Sequence, residues 1–125
     1  RMPYELSGNE KPGYLHCIIT GRNTAENVAA YLQELASECE ARNCFRVLIE
    51  EHRVGRRLET WDVYQLATEG SARLLGKVQA MAYVDVNAEG ELMKFAETVA
   101  SNRGLPMTVF ATVPEAENWL TSKGR

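Results

Sequence analysis

A strand, a charged loop and a helix follow one another between residues 45 and 75, and this succession constrains the fold most strongly. Residues 45–49 form a short apolar run with a single charge, which is typical of a buried strand. Residues 50–59 are highly charged, and apolar residues recur at helical spacing after Thr60. Such a segment is half of a βαβ unit, and its loop lies at the C-terminal edge of the sheet, where open α/β folds place their binding sites.

The rest of the chain repeats this alternation. Two extended segments, 3–8 and 14–20, flank turn-forming residues and predict an N-terminal hairpin. Capping residues at 23–24, 60, 87 and 112 predict four helices, and further strands are expected over 78–85 and 107–111. The order ββαβαβαβα predicts an α/β fold: an N-terminal hairpin strand plus a singly wound parallel (βα)4 sheet.

The two sides of the predicted strands differ in polarity. One side is almost entirely apolar and the other is mixed, so we expect the helices to lie mainly on the apolar face. Five apolar or aromatic residues assigned to the mixed face predict a self-association surface. They are Tyr14, Leu48, Met81, Tyr83 and Phe110. The alternatives are a wall of a ligand pocket, or coverage by another segment of the same chain.

Length and composition limit the class of protein. We expect residues 1–125 to form one domain. The net charge of −3 argues against nonspecific nucleic-acid binding, which needs a basic surface. No apolar run approaches the length of a membrane span, and no secretory signal is recognisable. Cys17, Cys39 and Cys44 lack the spacing of a disulfide framework, which favours reduced thiols and a cytoplasmic location.

Residue patterns that carry chemistry are weak. His52 beside Glu51 has the character of a general base, but no nucleophile accompanies it at a recognisable spacing. His16 and Cys17 are adjacent in a strand and point to opposite faces, so they cannot share a metal ion. The spacing of the other two cysteines is not that of a zinc pair. We therefore predict no catalytic residue, no metal and no cofactor, and do not expect an enzyme.

The charged loop supplies the candidate binding site. Arginines cluster there beside a helix N-terminus, and this combination suits a phosphate or carboxylate group. Two aromatic residues one turn apart on the following helix add an apolar wall. The candidate site comprises Arg22, Arg53, Arg56, Arg57, Trp61 and Tyr64. The alternative interpretation is a solvated loop in which Glu50, Glu51 and Glu59 neutralise the arginines.

Several segments share their order and spacing with a known family. They are a strand ending at Gly21, the helix start 24–27, the strand 47–50, the helix start 61–62, the strand 80–84, and the segments 109–110 and 115–120. Together they resemble the SpoIIAA-like proteins, which are relatives of the STAS anti-sigma-factor antagonist domains. The resemblance implies helices mainly on one face of the sheet and a non-catalytic regulatory role in bacteria, through binding another protein or a second copy.

The sequence departs from the family pattern at the regulatory position. STAS switch proteins carry a phosphorylatable serine just before the second helix, whereas residues 52–61 contain no serine, and Thr60 is their one hydroxyl. The phosphorylation switch is therefore not expected here. The alternative function is a module that binds an anionic or amphipathic, lipid-like small molecule at the C-terminal edge of the sheet.

Overall fold

Strands and helices alternate along the chain in the order that the sequence predicts. The structure, a computed structural model, describes residues 4–22, 24–54, 58–85 and 90–122. Its elements are β1 (Tyr4–Lys11), β2 (Tyr14–Arg22), α1 (Ala25–Arg42), β3 (Arg46–Val54), α2 (Thr60–Leu74), β4 (Ala80–Asp85), α3 (Gly90–Asn102), β5 (Met107–Phe110) and α4 (Val113–Ser122). The strands form one mixed sheet in the order β1-β2-β3-β4-β5, with β1 antiparallel to β2 and the others parallel.

Local signals in the sequence account for most element boundaries. Gly13 closes the hairpin with φ 87°, a conformation that glycine adopts without strain. Thr24 is the N-cap of α1, where its hydroxyl accepts a hydrogen bond from the Asn27 amide at 3.1 Å. Asn43 ends that helix in the left-handed region, with φ 52°. Thr112 caps α4 by accepting from the Glu115 amide at 3.3 Å, as its capping-box pattern predicts.

The start of α2 differs from the prediction. Glu59, not Thr60, is the N-cap, and its side chain makes no capping hydrogen bond. Thr60 is the first helical residue and is exposed. The expectation that Thr60 caps the helix is wrong, because the chain enters the helix one residue earlier.

Helices α1, α2 and α3 pack on one face of the sheet. The core on this face joins apolar residues of the three helices to Leu15, Val47, Ile49, Met81 and Met107 of the strands. Since sequential parallel strands joined by crossovers of one hand carry their helices on one side, this arrangement follows from the strand order. Three of the four helices in the described part of the chain therefore contribute to the core on this face.

Helix α4 packs on the opposite face of the sheet. There it forms a second core in which Ala116 and Leu120 contact Leu48, Ala82 and Val84. The Tyr14 hydroxyl donates to Glu117 of α4 at 2.8 Å, and the rings of Phe110 and Trp119 lie 5.5 Å apart. Trp119 therefore packs with α4 on the face that α1–α3 leave open.

The five residues assigned to the mixed face do not share a face. Tyr14, Leu48 and Phe110 lie in the core beneath α4, whereas Met81 and Tyr83 lie in the core beneath α1–α3. The assignment of Met81 and Tyr83 of β4 to the mixed face is wrong. This strand is buried on both faces, since Ala80, Met81 and Ala82 are at most 1% exposed. A strand buried on both sides has no alternation of polarity from which its orientation can be read.

Candidate functional site

A cluster of titratable side chains lies under the C-terminal edge of the parallel sheet. Glu51 in β3 is 4% exposed, and Tyr31 of α1 is fully buried beside it. The Glu51 carboxylate accepts hydrogen bonds from the Tyr31 hydroxyl and, at 3.0 Å, from the Tyr83 hydroxyl of β4. The two phenols also contact each other. This cluster joins α1, β3 and β4 at the edge where α/β folds bind ligands.

The phenols in this cluster are hydrogen-bond donors. Burial raises the pKa of Tyr31 well above its usual value, and the neighbouring Glu51 carboxylate and Tyr83 raise it further. The hydroxyl is therefore protonated at physiological pH and stabilises the buried carboxylate. The sequence did not reveal this cluster, because residues 50–54 were expected in a loop and belong to β3.

A second cluster lies on the opposite face of β2 and β3. The Nε2 atoms of His16 and His52 lie 2.8 Å and 2.5 Å from the two carboxylate oxygens of Glu50. Burial alone would raise the pKa of Glu50, but the hydrogen bonds from His52 and His16 outweigh it and lower the pKa below its ordinary value. Strand alternation gives His52 this partner, two residues away, instead of the adjacent Glu51.

Neither cluster has the arrangement of a metal site. Within the described ranges, no group of three or more His, Cys, Asp or Glu side chains is placed to hold a metal ion. Two of the thiols are also unsuited to nucleophilic chemistry. Burial raises the pKa of Cys17 to about 12 and that of Cys39 to about 11, so both remain protonated near neutral pH.

An exposed aromatic surface lies on α2. Trp61 is 64% exposed, and its ring stacks on Tyr64 at a centroid distance of 5.6 Å and an interplanar angle of 21°. The guanidinium of Arg103, which follows α3, lies 5.9 Å from the centroid of the Tyr64 ring. Arg103 also donates to the Tyr64 hydroxyl and to Thr68, both at 3.2 Å. We call Trp61, Tyr64, Thr68 and Arg103 the α2 surface.

Helix packing assembles the α2 surface. Residues 61, 64 and 68 are separated by three and four positions, which places them along one stripe of the helix. Helix α3 packs beside α2 and brings Arg103 to that stripe. The sequence indicated the aromatic pair by its spacing, but Arg103 is 39 residues from Tyr64 along the chain and no local pattern connects them.

The described members of the predicted site fall into two groups. Trp61 and Tyr64 are in contact, as their spacing predicts. Arg22 and Arg53 lie at the C-terminal ends of neighbouring strands, where Gly21 pairs with Arg53. The side chain of Arg53 lies outside the described part of the structure, as do Arg56 and Arg57.

A shallow cavity of about 330 Å³ lies at the other end of the sheet, between the hairpin turn and the end of α1. Lys11, Arg42 and Arg46 contribute to its wall. Arg42 is already paired with Glu38 at 2.7 Å and with Glu10 at 3.4 Å. This cavity therefore offers an incoming anion less uncompensated charge than its three basic side chains suggest.

The α2 surface combines an exposed tryptophan ring with side-chain contacts that fix its geometry. In the part of the chain that the structure describes, no helix is both long enough and apolar enough to cross a membrane. Contact with another molecule through an exposed helix face is the chemistry that this arrangement supports best.

Comparison with known proteins adds no assignment: no protein-family model matches the chain, and no curated protein matches it either.

Proposed function

We propose that this chain is a non-catalytic regulatory domain that binds another protein, and that the α2 surface is the centre of its interface. The observation that carries the proposal is Trp61, which leaves 64% of its surface in water while its ring is stacked on Tyr64. Tryptophan, tyrosine and arginine are the residues that most often dominate binding energy at protein interfaces. All three types meet on this surface.

The contacts within the α2 surface order it before a partner binds. The stack on Tyr64 restricts the rotamers of Trp61, and Arg103 holds Tyr64 through a hydrogen bond and a cation–π contact. Side chains that are already ordered lose less conformational entropy on association. The free chain therefore presents a surface whose organisation lowers the cost of binding.

The sequence before α2 is rich in arginine, which favours a partner segment that is both acidic and apolar. Arg53, Arg56 and Arg57 precede α2 in the sequence, and Arg22 ends the neighbouring strand β2. The N-terminus of α2 adds partial positive charge at the same edge. An acidic group beside an apolar side chain would complement the arginines and Trp61 together.

A small anionic ligand, the alternative function, has less support. The buried cluster at the C-terminal edge is centred on the Glu51 carboxylate, which already accepts hydrogen bonds from the Tyr31 and Tyr83 hydroxyls. These two donors are therefore engaged within the fold. The aromatic pair on α2 is exposed to an apolar contact, and we therefore favour a protein partner.

The family resemblance supports a regulatory role. The strand order, with three helices on one face, is compatible with a SpoIIAA-like, STAS-related domain acting in the bacterial cytoplasm. The cysteines of the described residues are free thiols, which suits a reducing compartment. Because residues 52–61 lack a serine, we propose that partner binding here does not depend on phosphorylation of that segment.

Photo-crosslinking in cells tests this function. A photoreactive aromatic residue at position 61 should capture a specific partner protein, since the side chain lies at the proposed interface. Leu75 gives a matched control, because it is the other large exposed apolar residue of the described chain and lies just after the opposite end of α2. Capture of the same proteins from both positions, or from neither, would contradict the proposal.

A further inference from the structure

Strand β1 forms an open edge of the sheet. It pairs only with β2, over all eight residues from Tyr4 to Lys11, in one continuous register without a bulge. In an antiparallel pair, alternate residues direct their main-chain N–H and C=O groups away from the partner strand. Among the described residues, none outside β2 forms a hydrogen bond with the main chain of β1.

The centre of β1 lacks the features that usually block an exposed edge. Proteins protect such edges with proline, bulges or lysine, whereas the centre of this strand reads Ser7-Gly8-Asn9. Packing within one copy does not require the glycine. A Cβ atom at Gly8 would approach only the side chains of Arg42 and Leu15, at 3.7 Å. A glycine inside a strand often marks a close approach of another backbone.

We propose that a second copy of this chain pairs with β1, antiparallel across a two-fold axis at Gly8, and joins the two sheets into one. In this register Glu5 of each copy lies opposite Lys11 of the other, and Ser7 lies opposite Asn9. Glu5 and Lys11 are exposed, and neither has an ion-pair partner within the described ranges of a single copy. The pairing gives each of them an opposite charge.

Geometry and charge select this register. A two-fold axis normal to the sheet gives a joined sheet with continuous faces only if odd-numbered residues pair with odd-numbered ones and even-numbered residues with even-numbered ones. A shift of one residue would place Glu5 opposite Glu10 and would join opposite faces. A shift of two residues, centred on Ser7, would place Glu5 opposite Asn9 and leave Lys11 without a carboxylate. Of these three registers, the one centred on Gly8 places both Glu5 and Lys11 opposite a residue of opposite charge.

Charge exchange tests the proposed dimer. The wild-type chain should sediment as a concentration-dependent dimer. Lys11→Glu and Glu5→Lys should each weaken dimerisation by roughly tenfold or more, because each places like charges opposite one another twice. The double variant Glu5→Lys with Lys11→Glu restores opposite charges and should recover the wild-type dissociation constant.

The controls separate the pairing from general charge effects. Lys94→Glu reverses a charge on the exposed side of α3 and should leave the dissociation constant of the dimer unchanged. Circular dichroism of every variant should match the wild type, because the altered side chains are on the surface. A wild-type chain that remains monomeric at millimolar concentration, or a double variant no better than the single ones, would overturn the proposal.

Discussion

Two adjacent glutamates in β3 have different environments because strand residues alternate between faces. Glu51 points under α1 and is held by two phenols, whereas Glu50 points to the opposite face and lies between two imidazoles. The sequence shows only a charged pair before a helix. Three of the four hydrogen-bond partners come from α1, β2 and β4, which are distant in sequence, and only His52 lies in β3 itself. The individual roles of the two carboxylates therefore depend on the tertiary fold.

The lowered pKa of Glu50 gives a prediction about pH. Since this pKa is lower in the folded chain than in the unfolded chain, the ionised carboxylate stabilises the fold above the unfolded pKa. That contribution is lost as pH falls through the folded pKa. We expect Glu50→Gln to lower the free energy of unfolding at neutral pH. The difference in this free energy between the variant and the wild type should shrink below about pH 4.

Urea denaturation of both proteins across this pH range measures the effect. Glu97→Gln is a suitable control, because the Glu97 side chain is 20% exposed, close to the 18% of Glu50, but its ion-pair partner among the described residues is Lys94 of the same helix and not a histidine. The free energies of unfolding of Glu50→Gln and the wild type could instead differ by the same amount at every pH. That result would show that ionised Glu50 does not stabilise the fold.

At the scale of elements, α4 differs from the other helices in what fixes its side of the sheet. Helices α1, α2 and α3 each connect two neighbouring parallel strands, and the handedness of such crossovers determines their side. Helix α4 follows β5, the last strand, and returns to no further strand among the described residues. Its side is therefore set by packing alone, and its apolar residues cover the face that the crossovers leave open.

Substitutions in α4 test this packing. Leu120 is fully buried against the sheet, so Leu120→Ala should lower the free energy of unfolding by about 2–5 kcal/mol. Trp119 is half-buried at the side of the helix and contacts Phe110, so Trp119→Ala should cost less than Leu120→Ala. Chemical denaturation gives both values. A larger loss for Trp119→Ala would mean that Trp119, and not Leu120, anchors the helix.

At the scale of the whole molecule, the sequence predicts the order of elements, the hairpin and most helix ends. Each of these depends on local signals such as the Thr24 cap and the Asn43 terminus. Which residues of β4 point to which face is not predictable in this way, because a strand buried on both faces does not alternate between polar and apolar residues. The aromatic half of the candidate site follows from helical spacing, whereas Arg103 reaches it only through the packing of α3 on α2.

The two proposed interfaces occupy different parts of the molecule. Helix α2 lies between α1 and α3 in the helical layer, and β1 is the outer strand beside α1. Sheet extension through β1 therefore leaves one α2 surface exposed on each copy. A dimer of this kind would offer a partner protein two identical binding surfaces.

The affinity of the partner captured through position 61 tests the central claim most directly. Calorimetry should compare the wild type with Trp61→Ala and with Leu75→Ala, which removes similar exposed apolar character beyond the other end of α2. If Trp61 is the anchor of the interface, Trp61→Ala should weaken binding by roughly thirtyfold or more, as expected for a hot-spot residue, while Leu75→Ala leaves the affinity unchanged. Equal affinities for the two variants would contradict the claim that the α2 surface is the binding site.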